Sequence, residues 1–343
     1  MAVIDEPVDA GSSTRIRKHL CFLVYDARSG STMLAALLNR YRGIAVMPET
    51  QFPSRIIEQG CLPAERGQLP DFVGFLYEEP HFRALGIDRQ ALLGELGQCE
   101  FPLSLDNAIQ AIAGVYFAEA SPEAAVWVIK GGAALFHAQE IIDALPECRF
   151  LHIVRDGRAV FASKKRSVTT RGGVFTRTPL KAARQWRERV DRAEKLGRHL
   201  IHIRYEDLVL EPEQTLEALC EALGMSGRDC EVEKDLDAYA NRIGREQRHL
   251  HENLSRGVLV ERIEAWREEL SAREIAVYEF TARSALQRLG YSPVTSDDRG
   301  VLPYLPVEYG RSVLETASNV TRDILTGRLL EKIRRKGILK KKL

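Results

Sequence analysis

The sequence predicts an α/β fold: a parallel β-sheet flanked by helices, with a helical insertion and a C-terminal helical extension. Three observations carry this. Residues 20–38, LCFLVYDARSGSTMLAALL, form an apolar run that breaks into Arg28-Ser29-Gly30-Ser31-Thr32 and resumes at helical spacing, which reads as strand, tight turn and helix. Two further apolar runs, AVWVI at 125–129 and RFLHIV at 149–154, each lead into a polar or glycine-bearing turn and another helical stretch. Strands that alternate with helices pair in parallel, because each crossover returns the chain to the same end of the sheet.

Taken in order, residues 1–17 are a polar tail and the first strand and helix follow it. Residues 43–47 are a short strand ending in Pro48-Glu49-Thr50, at the sheet edge where open α/β folds bind ligands. Across 51–123 the pattern breaks into short helical segments, such as 71–79 and 88–97, separated by Pro and Gly, which reads as a helical insertion or lid. The strand at 125–129 runs into Lys130-Gly131-Gly132 and a helix over 133–144. The strand at 149–154 runs into Arg155-Asp156-Gly157-Arg158 and a helix through Lys165. A long charged helix over 181–196 precedes a strand over 200–203 that enters Tyr205-Glu206-Asp207. Helices over 213–223, 260–270 and 272–289 complete a core domain at 18–293, and 294–343 form the extension.

Composition narrows the function classes. The 343 residues suit one large α/β domain with insertions, and a hydrophobic share of 45% supplies a full core. Lys plus Arg number 49 against 48 Asp plus Glu, so the chain as a whole has no nucleic-acid or membrane character and any such attraction is local. Six cysteines, Cys21, Cys61, Cys99, Cys148, Cys220 and Cys230, have neither CxxC nor Cys/His ligand spacing and read as reduced core residues, without a zinc site. The N-terminus lacks the apolar centre of a signal peptide, and no stretch is long and apolar enough to span a bilayer. A cytoplasmic enzyme is the expectation.

The turn at 28–32 carries the first chemistry. A strand-to-helix turn directs free backbone N–H groups and the positive end of a helix dipole at one point, and Ser29, Ser31 and Thr32 add hydroxyls. Phosphate or sulfate suits such a place, an ordinary polar connection being the alternative. A nucleotide-hydrolase loop needs a lysine directly before its metal-binding hydroxyl. Here Ser31-Thr32 follows Gly30 directly, and the nearest cation is Arg28. The loop is therefore P-loop-like but expects side-chain cations in place of magnesium, which argues against a standard kinase. A second anion site is suggested where Arg155 leaves a strand end and Ser163 lies about two turns into the next helix.

Together these segments resemble the sulfotransferases that use 3'-phosphoadenosine 5'-phosphosulfate (PAPS). Residues 28–32 match that family's RSG[ST]T loop, which holds the 5'-phosphosulfate, and 155–163 match RDxRxxxxS, which binds the 3'-phosphate. Arg204-Tyr205-Glu206-Asp207-Leu208 matches its YE[DQ]L segment, which implies that Tyr205 lies against the adenosine. Trp266 with Arg262 resembles the late helix closing the nucleotide site, and Leu289-Gly290-Tyr291 the end of the core. Arg256-Gly257 resembles the basic loop folded over the 3'-phosphate. The resemblance thus implies PAPS as co-substrate, no metal, and nucleotide binding by Arg28, Ser29, Gly30, Ser31, Thr32, Arg155, Ser163, Tyr205 and Arg256.

The branch resembled most is the Golgi type, including tyrosylprotein sulfotransferases. Its outline of strand, Glu-Thr and a nearby arginine fits Glu49-Thr50 with Arg55, which implies Glu49 as the general base. An attacking hydroxyl must shed its proton, and a carboxylate at the strand edge can take it. Lys130 matches a family lysine near the transferring group, so Arg28 and Lys130 are the candidates to stabilise charge on the leaving oxygen. The family has proline two residues after that lysine, where this chain has Gly131-Gly132. His152 and His202 alternate within strands and read as packing residues. The implied acceptor is a hydroxyl on a carbohydrate, lipid, peptide tyrosine or small molecule. Residues 328–343, RLLEKIRRKGILKKKL, read either as an amphipathic segment making peripheral contact with anionic membrane or as a solvated terminus. A Mg-ATP phosphotransferase and a noncatalytic nucleotide- or membrane-binding protein are the alternatives.

Overall fold

The computed structural model describes residues 19–167, 175–232, 260–296 and 299–325. Five strands, β1 (His19–Tyr25), β2 (Ile44–Met47), β3 (Val126–Lys130), β4 (Arg149–Val154) and β5 (Leu200–Arg204), form one sheet in the order β2-β3-β1-β4-β5. Every pairing is parallel, with Leu23 opposite Lys130 on one side and opposite Leu151 on the other. All strand C-termini therefore lie along one edge. That edge receives Asp26 to Gly30, Pro48 to Thr50, Lys130, Arg155 and Tyr205.

The unbroken apolar character of β1 follows from burial on both faces. Leu20, Phe22 and Val24 enter one core, shared with the helices between β2 and β3, while Cys21, Leu23 and Tyr25 enter another. The first core is closed by α2 (Phe52–Gln59), α3 (Leu69–Tyr77), α4 (Pro80–Ala84), α5 (Arg89–Gly97), α6 (Leu105–Ala120) and α7 (Ala138–Ala144). The second is closed by α1 (Ser31–Leu38) and α11 (Pro212–Ala222), the latter following α10 (Tyr205–Leu210). A third core joins α8 (Gly157–Arg166), α9 (Pro179–Glu194), α12 (Trp266–Glu269) and α13 (Ala272–Arg288) beyond β4. Helix α14 (Leu305–Leu325) follows.

The punctuation that divides the insertion in the sequence sits at helix starts. Proline occupies the first turn of α2, α3 and α4, where its missing N–H costs nothing, and Asp88 and Ser104 cap α5 and α6. Two predicted helices differ. The helix expected over 133–144 begins as a 3-10 segment, Gly132–His137, because its start is wedged against β1 and the β2 loop; a Cβ on Gly131 would lie 2.5 Å from the Thr50 carbonyl oxygen. The helix expected over 260–270 is broken into a 3-10 turn, Val260–Arg262, and the short α12. There the Arg262 carbonyl accepts from Arg155 Nη2 at 2.6 Å, leaving the helical ladder.

Three of the six cysteines, Cys21, Cys148 and Cys220, are buried, and all six are free thiols. Burial, with Cys148 beside it, pushes the Cys21 thiol up to about 12, as expected of an inert core residue.

Candidate active site

The loop after β1 makes its turn through two left-handed residues, Arg28 at φ 77° and Gly30 at φ 90°. At Gly30 the constraint is doubled, since a Cβ there would lie 2.5 Å from Cδ2 of Tyr205. Tyr205 thus packs flat against the loop, which only glycine permits. Gly30 is the N-cap of α1 and offers no side chain to the helix's first N–H groups. Ser31 and Thr32 stand in that first turn, both buried. The Ser29 hydroxyl is also buried and has no hydrogen-bond partner. Uncapped amides and an unspent buried hydroxyl converge as an anion site requires.

The second segment folds back onto the first. Arg28 Nε donates to Ser163 Oγ at 3.1 Å, and Arg155 Nη1 donates to the Arg28 carbonyl at 3.4 Å. The Arg155 guanidinium also stacks 4.3 Å over the Tyr205 ring, while its Nε is buried without a partner. Burial, then the charges of Arg155 and Arg262, hold the Arg28 pKa below the usual arginine value. Mutually repelling guanidiniums in a half-dry cleft are stabilised by an anion between them. Arg262 sends its own side chain to Glu269 at 2.9 Å.

Beside the loop lies the carboxylate. Lys130, 1% exposed, extends Nζ to Thr32 Oγ1 at 3.1 Å and to Glu49 Oε2 at 3.4 Å, over the Tyr25 ring. Burial pushes the Lys130 ammonium down in pKa and Glu49 pulls it partly back. Burial pushes Glu49 up, but the Lys130 ammonium, His81 and hydrogen bonds from Tyr25 and Lys130 outweigh it and hold the carboxyl below the usual range. Glu49 is the accessible member of the pair, its side chain 29% exposed.

Support around these groups is extensive. Glu79, at the start of α4 and 3% exposed, accepts from the Gln51 N–H at 2.8 Å and Thr50 Oγ1 at 3.4 Å, fixing the segment that bears Glu49. Lys164 forms a buried pair with Asp26 at 2.6 Å, tying α8 to the start of the loop. Glu206 accepts from the Asp156 N–H at 2.9 Å and from the Tyr291 hydroxyl at 2.8 Å. Arg158 pairs with Asp156 at 2.7 Å and Glu279 at 2.5 Å and lies 4.0 Å over Trp266. Trp266 is thus packing that closes over Arg158, whereas Arg262 is what reaches the arginine cluster.

The structure brings Arg28, Ser29, Gly30, Ser31, Thr32, Arg155, Ser163 and Tyr205 into one cluster, with Lys130 and Glu49 adjoining through Thr32. Arg256, the polar tail at 1–17 and the basic segment at 328–343 lie outside the described residues. Arg55 turns into the insertion, over the Phe75 ring and onto the Phe75 carbonyl. The Gly131-Gly132 departure has a steric reason, because Gly131 approaches the Thr50 carbonyl and Gly132 the Tyr25 carbonyl. His152 and His202, paired across β4 and β5, meet ring to ring at 3.0 Å. Sequence reasoning missed Asp26, Lys164, Glu79, Tyr25 and His81. A carboxylate directly after a buried strand was the available signal for Asp26, and Lys164, within α8, carried none. Among the described residues, no group of His, Cys, Asp or Glu is placed to hold a metal ion.

Comparison with known proteins bears on this geometry. No curated protein matches the chain. Among solved structures, the sulfotransferase domain from the curacin biosynthetic pathway is similar at 16% identity and a TM-score of 0.50, over 80% of this chain and 99% of that one. The sulfotransferase domain of the Synechococcus PCC 7002 olefin synthase is similar at 19% identity and a TM-score of 0.49, over 80% and 97%. The sulfotransferase from Alicyclobacillus acidocaldarius is similar at 17% identity and a TM-score of 0.34, over 73% and 99%. The α/β fold with its five-stranded parallel sheet agrees with the curacin-pathway domain. The model of the sulfotransferase family matches residues 22–229, more than half of the 343, and the chain belongs to that family.

Proposed function

We propose that this protein transfers the sulfuryl group of PAPS to an acceptor hydroxyl. The observation that carries the reading is the convergence of Arg28, Arg155 and Ser163 with the uncapped turn at Gly30, beside the Lys130 and Glu49 pair. The donor set fits two separate anions. The α1 amides with Ser29, Ser31 and Thr32 would hold the 5'-phosphosulfate, and Arg155 with Ser163 the 3'-phosphate. Tyr205, already stacked on Arg155, would lie against the adenosine.

Glu49 takes the acceptor proton as the oxygen–sulfur bond forms and the bond from sulfur to the bridging oxygen breaks. Lys130 and Arg28 face the negative charge that develops on that oxygen, and their fixed placement stabilises it without reorganisation. Lys130 has a second effect: by keeping Glu49 ionised, it keeps the base competent through neutral pH. A carboxylate base at this strand edge favours the Golgi-type outline over the histidine-based one.

Thermal denaturation with 3'-phosphoadenosine 5'-phosphate, adenosine 5'-phosphate and Mg-ATP tests the donor. Stabilisation specific to the 3'-phosphate is expected, because a ligand bound only by the native state raises apparent stability. Stabilisation by Mg-ATP alone would instead make the protein a phosphotransferase.

A further inference from the structure

Two side-chain contacts join the loop after β1 to α8. The loop closes where the Asp26 carbonyl accepts from the Ser29 N–H at 3.2 Å, with Arg28 in its left-handed conformation between them. Lys164, next to Ser163 on α8, donates to both carboxylate oxygens of Asp26, at 2.7 Å to Oδ1 and 2.6 Å to Oδ2. The other contact is the bond from Arg28 Nε to Ser163 Oγ. In the proposed function Arg28 and Ser163 both face the nucleotide, so ligand binding draws them onto its anions and leaves the pair of Asp26 and Lys164 to hold loop and helix together. Apolar packing does not make the same connection. Among the described residues, the third core, which seats α8, takes no side chain from β1 or α1, which enter the first and second cores.

The chemistry of this tie points to its purpose. Asp26 and Lys164 are each 4% exposed, and Arg189 Nε lies 3.7 Å from Asp26 Oδ1. Taking an ammonium and a carboxylate out of water costs about what their attraction returns, and apolar side chains of similar volume would hold the elements together as firmly. What the buried pair adds is direction, because its hydrogen bonds weaken steeply away from one geometry whereas an apolar contact can slide. We infer that Asp26 and Lys164 are positioning residues that hold the turn at 28–32 and Ser163 at a fixed separation, and thereby select a nucleotide carrying both a 3'- and a 5'-anion over one carrying either alone. The inference rests on the PAPS reading of the same site. With the subsites set in advance, the second anion of a bound nucleotide meets its partner at a high effective concentration. A loosened α8 dilutes that advantage and leaves each single contact intact.

Calorimetric titration of the full chain with 3'-phosphoadenosine 5'-phosphate, adenosine 5'-phosphate and adenosine 3'-phosphate tests it. The parent should prefer the bisphosphate to either monophosphate. D26N/K164M removes both charges and strands neither. It should lower that preference about tenfold or more, while each monophosphate binds within about twofold of the parent. K164M, which leaves Asp26 beside Arg189, is the second variant and should move the preference in the same direction. An unchanged preference in a folded variant, or equal weakening of all three nucleotides, would overturn the inference and make the pair ordinary packing. So would loss of the folded state in both variants, read by urea denaturation, which would make the pair part of the scaffold. A parent that does not prefer the bisphosphate would overturn the PAPS reading, and this inference with it.

Discussion

In the proposed mechanism the contact between Glu49 and Lys130 has two roles. Their pairing at 3.4 Å holds the carboxyl ionised below the usual range, so kcat/KM should stay level on acidification until pH falls beneath that range. A base with an ordinary or raised pKa would lose activity earlier, and a pH–rate profile separates the two. Glu49→Gln keeps the side chain's size and removes its basicity. It should lower kcat by roughly 10²–10⁴-fold while leaving nucleotide binding intact, as read by steady-state kinetics beside calorimetry. In the same proposal, Arg155→Ala acts on the 3'-phosphate. Loss of a charge-assisted contact worth about 1.5–3 kcal/mol should weaken 3'-phosphoadenosine 5'-phosphate by roughly 10–150-fold. If affinity for the nucleotide is unchanged, Arg155 does not hold the 3'-phosphate.

At the scale of elements, β4 and β5 carry a titration and α8 a packing constraint. His152, 2% exposed and facing His202, has its pKa pushed down to about 3 by burial and by the neighbouring His202 and Arg189 charges. The unfolded chain binds this proton below the ordinary histidine value of about 6.5, and the folded chain does so only near 3. Unfolding therefore takes up a proton between those limits, and stability falls as pH is lowered through them, by up to about 1.4 kcal/mol per pH unit per proton. Chemical denaturation from neutral to acid pH should show that slope, and His152→Gln should flatten it. At the start of α8, a Cβ on Gly157 would meet the Tyr278 hydroxyl at 2.2 Å and Trp186 at 2.8 Å. Gly157→Ala should accordingly cost about 1–3 kcal/mol by overpacking, measured by urea denaturation.

Across the whole molecule, buried charge connects the sheet edge to the last helices of the core. Arg158 at the β4 end is held by Asp156 and by Glu279 of α13, which in turn accepts from the Val294 and Thr295 N–H groups. Glu206 joins the same loop to Tyr291. Removing one partner strands the others in a dry site, so Arg158→Ala should destabilise by roughly 3–5 kcal/mol. Thermal unfolding with and without 3'-phosphoadenosine 5'-phosphate reads this out. A loss confined to nucleotide affinity, with stability unchanged, would show that the link is not structural.

The sequence by itself determined the architecture and which residues stand at the C-terminal ends of the strands. Strand and helix periods are local properties, and a turn bearing Gly30 with hydroxyls must present its amides wherever the strand ends. Parallel pairing then follows from alternation alone, and because Arg28, Lys130, Arg155 and Tyr205 each follow a strand it puts them on one edge, while their assignment to one site came from the family resemblance. Only the tertiary structure decided how these residues meet. That Arg28 reaches Ser163 across 135 positions, that Tyr205 closes on Gly30, and that Arg262 surrenders its carbonyl to Arg155 and breaks a predicted helix are consequences of packing between segments remote in the chain. Glu79, Lys164 and Tyr25 were illegible for the same reason, since a buried polar group reveals its role only through the partner that satisfies it.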